Sequence, residues 1–325
     1  MLKYQKILIN LVILISLLPL SCSQDKMSNP EANQNWDSLS NETKQMFLTK
    51  ISDAQEIVDK GKSKAAKREY TAIKKGFSDF LGPDIDLFIE AEIFLANRSF
   101  SDAARKYDNM LTNYRSSILA DKAINREYEI GMSFLKGRKK IVIGFIPISG
   151  YDEGIEILEK MIDHAGINKQ ISIDASIAIA KNYEKREKFN EAYLKWWEIY
   201  SLVKKNETVN RDALLEMAKM KFAVYNKNPE PKQAYYDASC LQTAQTYYEM
   251  FKTSYPEYAE EIGVNETLNV IKEELAHKEL TIGLFYQRTG FIQSANLYFD
   301  MVINNWPETK SAETARNMLK KNIGS

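Results

Sequence analysis

Cys22 is the residue of this chain best placed to do chemistry. It follows a start with two lysines and no acid, Met1–Lys6, then a largely apolar run, Ile7–Leu20, and small Ser21 directly precedes it. A basic start, an apolar stretch too short for a comfortable membrane span and a small residue before a cut describe an export signal over residues 1–21. A thiol at that place can take a diacylglycerol group and become the new N-terminus, holding the rest of the chain to a membrane by acyl chains such as palmitate. Pro19 and Leu20 are atypical before such a cut, so ordinary secretion with a free Cys22 stays open. An uncleaved anchor helix fits less well, because the run is short and Ser23–Gln34 is polar; residues 22–35 are expected to be a flexible tether.

The other chemically capable side chains give no reaction centre. His164 and His277 are the only histidines, and neither has a metal-binding spacing with a cysteine or a second histidine, so no metal or cofactor is implied. His277 follows Glu273 by one helical turn, which reads as a solvated pair. Cys240, among Ala238, Leu241 and Ala244, reads as a small buried apolar residue, and no glycine-rich phosphate loop precedes a helix. Loss of Lys3 and Lys6 with the signal leaves 42 basic against 44 acidic side chains, so no nucleic-acid partner is implied, since phosphate binding requires a concentrated basic surface. With Cys22 acylated, Cys240 has no disulfide partner. The expectation is a protein that is not an enzyme.

The elements that hold these residues are helices arranged in a repeat. Ala91, Phe94, Phe100, Ala103, Tyr107 and Met110 are spaced three, six, three, four and three apart. The same ladder returns in Ala180, Tyr183, Phe189, Ala192, Trp196 and Ile199, and again in Gly283, Tyr286, Ile292, Ala295, Phe299 and Val302, with Pro307 after it. A helical hairpin explains it: a small residue lets two helices approach, an aromatic fills the groove, and a turn separates the halves. Ala66, Tyr70 and Ile73, and Ala244, Tyr248, Phe251 and Pro256, are weaker copies of the second helix. The chain is therefore expected to be an all-α solenoid of about five or six hairpins over residues 36–325. The partner helix of the first copy falls between Trp36 and Val58.

One copy is interrupted. Gly131 and Phe134 begin it and Tyr151, Gly154, Leu158 and Met161 resume it, seventeen residues after Phe134 instead of six. The insertion, residues 136–150, carries Lys136, Arg138, Lys139 and Lys140, then an apolar stretch ending in Phe145, Ile146 and Pro147, and is expected to be a β-hairpin or extended loop. Its apolar residues could simply cover a gap between hairpins; alternatively it touches a partner or a membrane surface, as long loops with basic side chains do. Trp197 and Tyr247, each beside a ladder residue, point away from the core position and could be exposed anchors for an extended peptide.

The ladder resembles the tetratricopeptide repeat. The C-terminal third narrows the resemblance: Asn228–Ala234 with two prolines, Thr243–Phe251, Ser254–Tyr258 with its Tyr-Pro, Lys272–Leu280, Phe285–Phe291 with Arg-Thr-Gly, and Trp306–Thr309. That order resembles the BamD-type outer-membrane lipoproteins and, with Cys22 and the earlier hairpins, extends over most of the mature chain. The resemblance implies a lipid-anchored scaffold on the periplasmic face of the outer membrane that binds a BamA-type insertase and helps deliver outer-membrane protein precursors. The insertion after Phe134 and Tyr298, where the resemblance implies an arginine, depart from that pattern. Competing readings are a repeat scaffold for another envelope machine, such as pilus assembly or peptidoglycan coordination, and a surface glycan-binding lipoprotein using exposed aromatics. A lytic domain after Pro307 has no room, since only a short helix from Ser311 to Lys321 is expected there.

Overall fold

The computed structural model describes residues 36, 38–142, 145–227 and 237–323. The signal, Cys22, the tether, Tyr235, Tyr236 and the lead-in Asn228–Ala234 lie outside these residues. Among the described residues the elements are α1 (Asn41–Asp59), α2 (Ser63–Gly76), α3 (Pro83–Ala96), α4 (Phe100–Asn113), α5 (Ala120–Leu135), β1 (Lys139–Val142), β2 (Ile146–Ser149), α6 (Tyr151–Ala165), α7 (Gln170–Lys185), α8 (Phe189–Leu202), α9 (Glu207–Asn226), α10 (Ser239–Ser254), α11 (Pro256–Glu261), α12 (Val264–Arg288), α13 (Ile292–Asn305) and α14 (Lys310–Ile323). The chain is an all-α stack of six helical hairpins, α1/α2, α3/α4, α5/α6, α7/α8, α9/α10 and α12/α13, closed by α14. The helix expected before Val58 is α1; its N-cap Ser40 accepts the Thr43 amide at 3.2 Å. None of the described helices is long and apolar enough to cross a membrane.

Five of the six hairpin turns are built alike. Gly61, Arg98, Gly137, Glu187 and Gly290 all have positive φ, between 54° and 105°. In each, that residue donates its amide to the carbonyl three residues back, and the next residue donates to the carbonyl five back, as in Arg98 to Leu95 and Ser99 to Phe94. These bonds satisfy the last carbonyls of the first helix. In four of the five turns the second helix then begins two residues after the left-handed residue, at Ser63, Phe100, Phe189 and Ile292. After Gly137 a strand begins there instead. Aligned on these bonds, the counterpart of Phe94 and Tyr183 is Ser133, so Gly131 and Phe134 sit one residue later than the ladder placed them.

The ladder's small residues are the crossing points. Ala91, Ala103, Ala180, Ala192 and Ala295 are fully buried, as are Tyr107, Phe299 and Val302. A Cβ on Gly283 would meet the Phe299 ring at 2.7 Å, and one on Gly154 would lie 2.7 Å from Phe134 Cβ and 2.8 Å from the Gly131 carbonyl oxygen, so α5 and α6 touch almost backbone to backbone. The core runs along the stack as four clusters bridged by half-buried Tyr183, Tyr200, Tyr247 and Trp306. This is the near-neighbour organisation of a solenoid.

Polar groups clamp the first three hairpins. Buried Arg126 on α5 donates through Nε to Glu92 of α3 at 3.0 Å and through Nη1 to Asp59 of α1 at 2.7 Å; Gln55 of α1 also donates to Glu92, at 2.8 Å. Burial works against the guanidinium charge, but the Glu92 carboxylate beside it holds its pKa above the ordinary value. Sequence spacing gave no sign of this cluster, because its members come from three different hairpins.

Two outcomes follow from these contacts. Glu187 is exposed and held at φ 54°, so Glu187→Gly relieves a left-handed side chain and is expected to raise stability by about 0.5–1 kcal/mol, read as a higher urea midpoint. Arg126→Met strands Glu92 in the core and is expected to cost about 3–5 kcal/mol, read as an early urea transition in which α1–α5 open before the C-terminal helices.

Candidate functional site

The insertion folds as an antiparallel β-hairpin with Lys139 opposite Ser149, Lys140 opposite Ile148, Ile141 opposite Pro147 and Val142 opposite Ile146. Two strands alone are marginal in water, so the base of the hairpin must be held by the stack. Arg138 does this on one side: its guanidinium lies 3.6 Å from the Phe100 ring centroid, and its Nε donates to Ser133 Oγ at 2.8 Å. Burial, then the Arg98 charge, lowers the Arg138 pKa. Lys140 does it on the other side through an ion pair with Glu153 of α6. Gly150 completes the anchor, since a Cβ there would clash with the Phe134 ring.

Of the four basic residues expected to face a partner, Arg138 and Lys140 thus secure the hairpin, whereas Lys136 and Lys139 are exposed. The apolar residues do not cover a gap: Ile141, Ile146 and Ile148 are exposed and Phe145 is 76 % exposed. An apolar tip held out by a charged base can bury area against another surface and gains little where it stands.

Trp197 and Tyr247 lie elsewhere, on α8 and α10. Trp197 is 51 % exposed, as its place beside the ladder residue Trp196 predicts. Tyr247 is not an exposed anchor: it is half-buried, and its hydroxyl shares a 2.9 Å hydrogen bond with that of Tyr193, one turn before Trp197 on α8. Burial, then this bond, pushes the Tyr193 pKa up to about 12. Lys221 Nζ sits 3.8 Å from the ring centroid of Tyr193, which is one turn before Trp197 on the same helix. The structure does not bring this patch together with the β-hairpin, which belongs to α5 and α6.

A third apolar surface was not singled out by sequence. Phe285, Phe291, Leu297 and Met301 on and between α12 and α13 are exposed. Leu297 and Met301 are one turn apart on α13, a spacing that also suits core residues and so gave no distinct signal. Tyr298 stacks on Tyr286 with ring centroids 5.6 Å apart.

The remaining titratable residues resolve differently from their sequence readings. Glu273 does not serve His277: it accepts the Lys310 and Ser311 amides at 2.7 and 3.0 Å and caps α14, while His277 is exposed. Cys240 is half-buried at the edge of a cluster rather than enclosed. His164 is brought against Asp108, with Nε2 2.9 Å from Oδ1, and buried Glu127 stands beside them. Burial, then the Asp108 charge, raises the Glu127 pKa, and Lys160 opposes the shift.

No curated protein matches this chain. A family model described as an outer membrane lipoprotein, YfiO, matches residues 151–323, more than half of the chain. The match starts at the first residue of α6 and takes in α6 to α14, a shorter span than the resemblance over most of the mature chain. Its members are scaffold lipoproteins, and the chain belongs to this YfiO, or BamD, family of outer membrane lipoproteins.

Proposed function

We propose that the protein is a non-enzymatic, tetratricopeptide-like scaffold of the outer-membrane β-barrel assembly machinery, anchored through acylated Cys22 at the periplasmic face of the outer membrane. The observation that carries this reading is the family match over α6 to α14, on a stack whose long surface suits extended partners. In this reading residues 1–21 are the signal and residues 22–35 the tether. At full extension that tether spans at most about 50 Å, which keeps the stack within one molecular length of the membrane. A BamA-type insertase and outer-membrane protein precursors are the partners.

The contact surfaces assigned are the exposed tip around Ile141 and Phe145 with Lys136 and Lys139 at its base, and the patch at Trp197. Arg138 and Lys140 hold the base of the hairpin, and Tyr247 bonds Tyr193, one turn before Trp197. In the last hairpin the Tyr286–Tyr298 stack stands where the family pattern implies an arginine, so contact there is aromatic in character.

Affinity purification of C-terminally tagged protein from detergent-solubilised outer membranes tests the reading. The wild type is expected to recover a BamA-type barrel, and Cys22→Ala to lose membrane fractionation and most of that recovery. Phe145→Asp is expected to weaken recovery with the helical circular dichroism unchanged. Reproducible co-purification of other envelope proteins without such a barrel would overturn the assignment.

A further inference from the structure

Three side chains from three successive helices converge at the junction of the second and third hairpins. Asp108 comes from α4, Glu127 from α5 and His164 from the last turn of α6. Each offers one ligand atom, and these atoms all lie within 4.8 Å of one another. Glu127 is only 1 % exposed and its Oε2 has no hydrogen-bond partner; the His164 side chain is 8 % exposed, with its Nε2 against Asp108 Oδ1. Unpartnered polar atoms at such depth cost free energy unless something satisfies them.

The surroundings favour a cation. Lys160 reaches Asp108 Oδ2 at 3.2 Å and Glu156 at 3.3 Å, but its side chain is nearly half exposed and it does not bond Glu127, so the inner carboxylate has no direct ion-pair partner. A cleft of about 310 Å³, lined in part by Ser101, Arg105, Asp108, Glu127 and Lys160, gives a hydrated ion a way in. Two carboxylates and one imidazole are the donors of borderline transition ions; the imidazole disfavours Ca²⁺ and Mg²⁺, which prefer oxygen alone, and no thiolate is present to select Cu⁺.

We propose that Asp108, Glu127 and His164 form a binding site for one divalent transition-metal ion of the Zn²⁺ type, with solvent in the remaining position. Binding replaces the Asp108–His164 hydrogen bond by two bonds to the ion and ties α4, α5 and α6 together. The same cleft is lined by Lys140 and Glu153, so the site borders the anchor of the β-hairpin and stiffens the platform from which its tip projects.

The test uses the full mature chain in detergent, stripped with a chelator and titrated with Co²⁺ and with Zn²⁺. The expected result is one saturable ion per chain, visible Co²⁺ bands of four- or five-coordinate intensity, and a Zn²⁺-dependent rise in Tm. Glu127→Gln is expected to weaken binding at least about tenfold while its metal-free Tm equals or exceeds that of the wild type, because it removes a buried ionisable group that has no direct partner. His164→Gln is a second variant with the same expected loss. Lys160→Met, which removes the competing cation from Asp108, is expected to tighten binding several-fold, an effect no merely structural role would give. Absence of saturable one-to-one binding in the wild type, or undiminished binding in a folded Glu127→Gln chain, would overturn the proposal.

Discussion

One backbone device organises five of the six hairpins: a residue held at positive φ that ends the first helix and, in four of them, launches the second two positions later. It recurs at Gly61, Arg98, Gly137, Glu187 and Gly290, with the same pair of backbone hydrogen bonds each time. The direction of the return helix follows from that turn, and the small residues of the ladder then fall where the two helices cross. Three of the five positions are glycine, which occupies the left-handed region without the clash of a Cβ; Arg98 and Glu187 hold it at a cost that the packing on either side offsets.

Helical hairpins of this kind read well from sequence because their signal is local. The spacing Ala91–Phe94–Phe100–Ala103–Tyr107 already contains the crossing, the groove and the turn, and Ala103 and Tyr107 are wholly buried where the pattern put them. The copy beginning at Gly131 was placed one residue late because Phe134 imitates the ladder aromatic; only the turn's hydrogen bonds reveal that Ser133 holds that place. Tyr247 was misread for a different reason. A position beside a ladder residue points away from its own hairpin, but Tyr193 of α8 comes up to meet it, and neighbouring helices are invisible to a one-dimensional pattern.

The polar clusters were the least legible part. Glu92, Arg126 and Asp59 are separated by tens of residues, as are Asp108, Glu127 and His164, and each set assembles only when consecutive hairpins stack. Both sets lie in the first three hairpins, mostly outside residues 151–323, where the chain matches its family. The β-hairpin also precedes that span. The N-terminal half thus carries the distinctive features: a charged clamp, a carboxylate–imidazole cluster and an apolar tip raised on Arg138 and Lys140.

That arrangement rests on the β-hairpin being a surface module set into an otherwise ordinary repeat turn. The geometry is specific: removing residues 139–150 places Tyr151 two residues after Gly137, the spacing of Phe100 after Arg98 and of Phe189 after Glu187. The most direct measurement is thermal unfolding of that deletion variant followed by helical circular dichroism. The account predicts undiminished helicity and a cooperative transition close to that of the intact chain. Loss of helicity, or collapse of the transition, would show that α5 and α6 depend on the insertion to pack and would contradict a stack continuous beneath it.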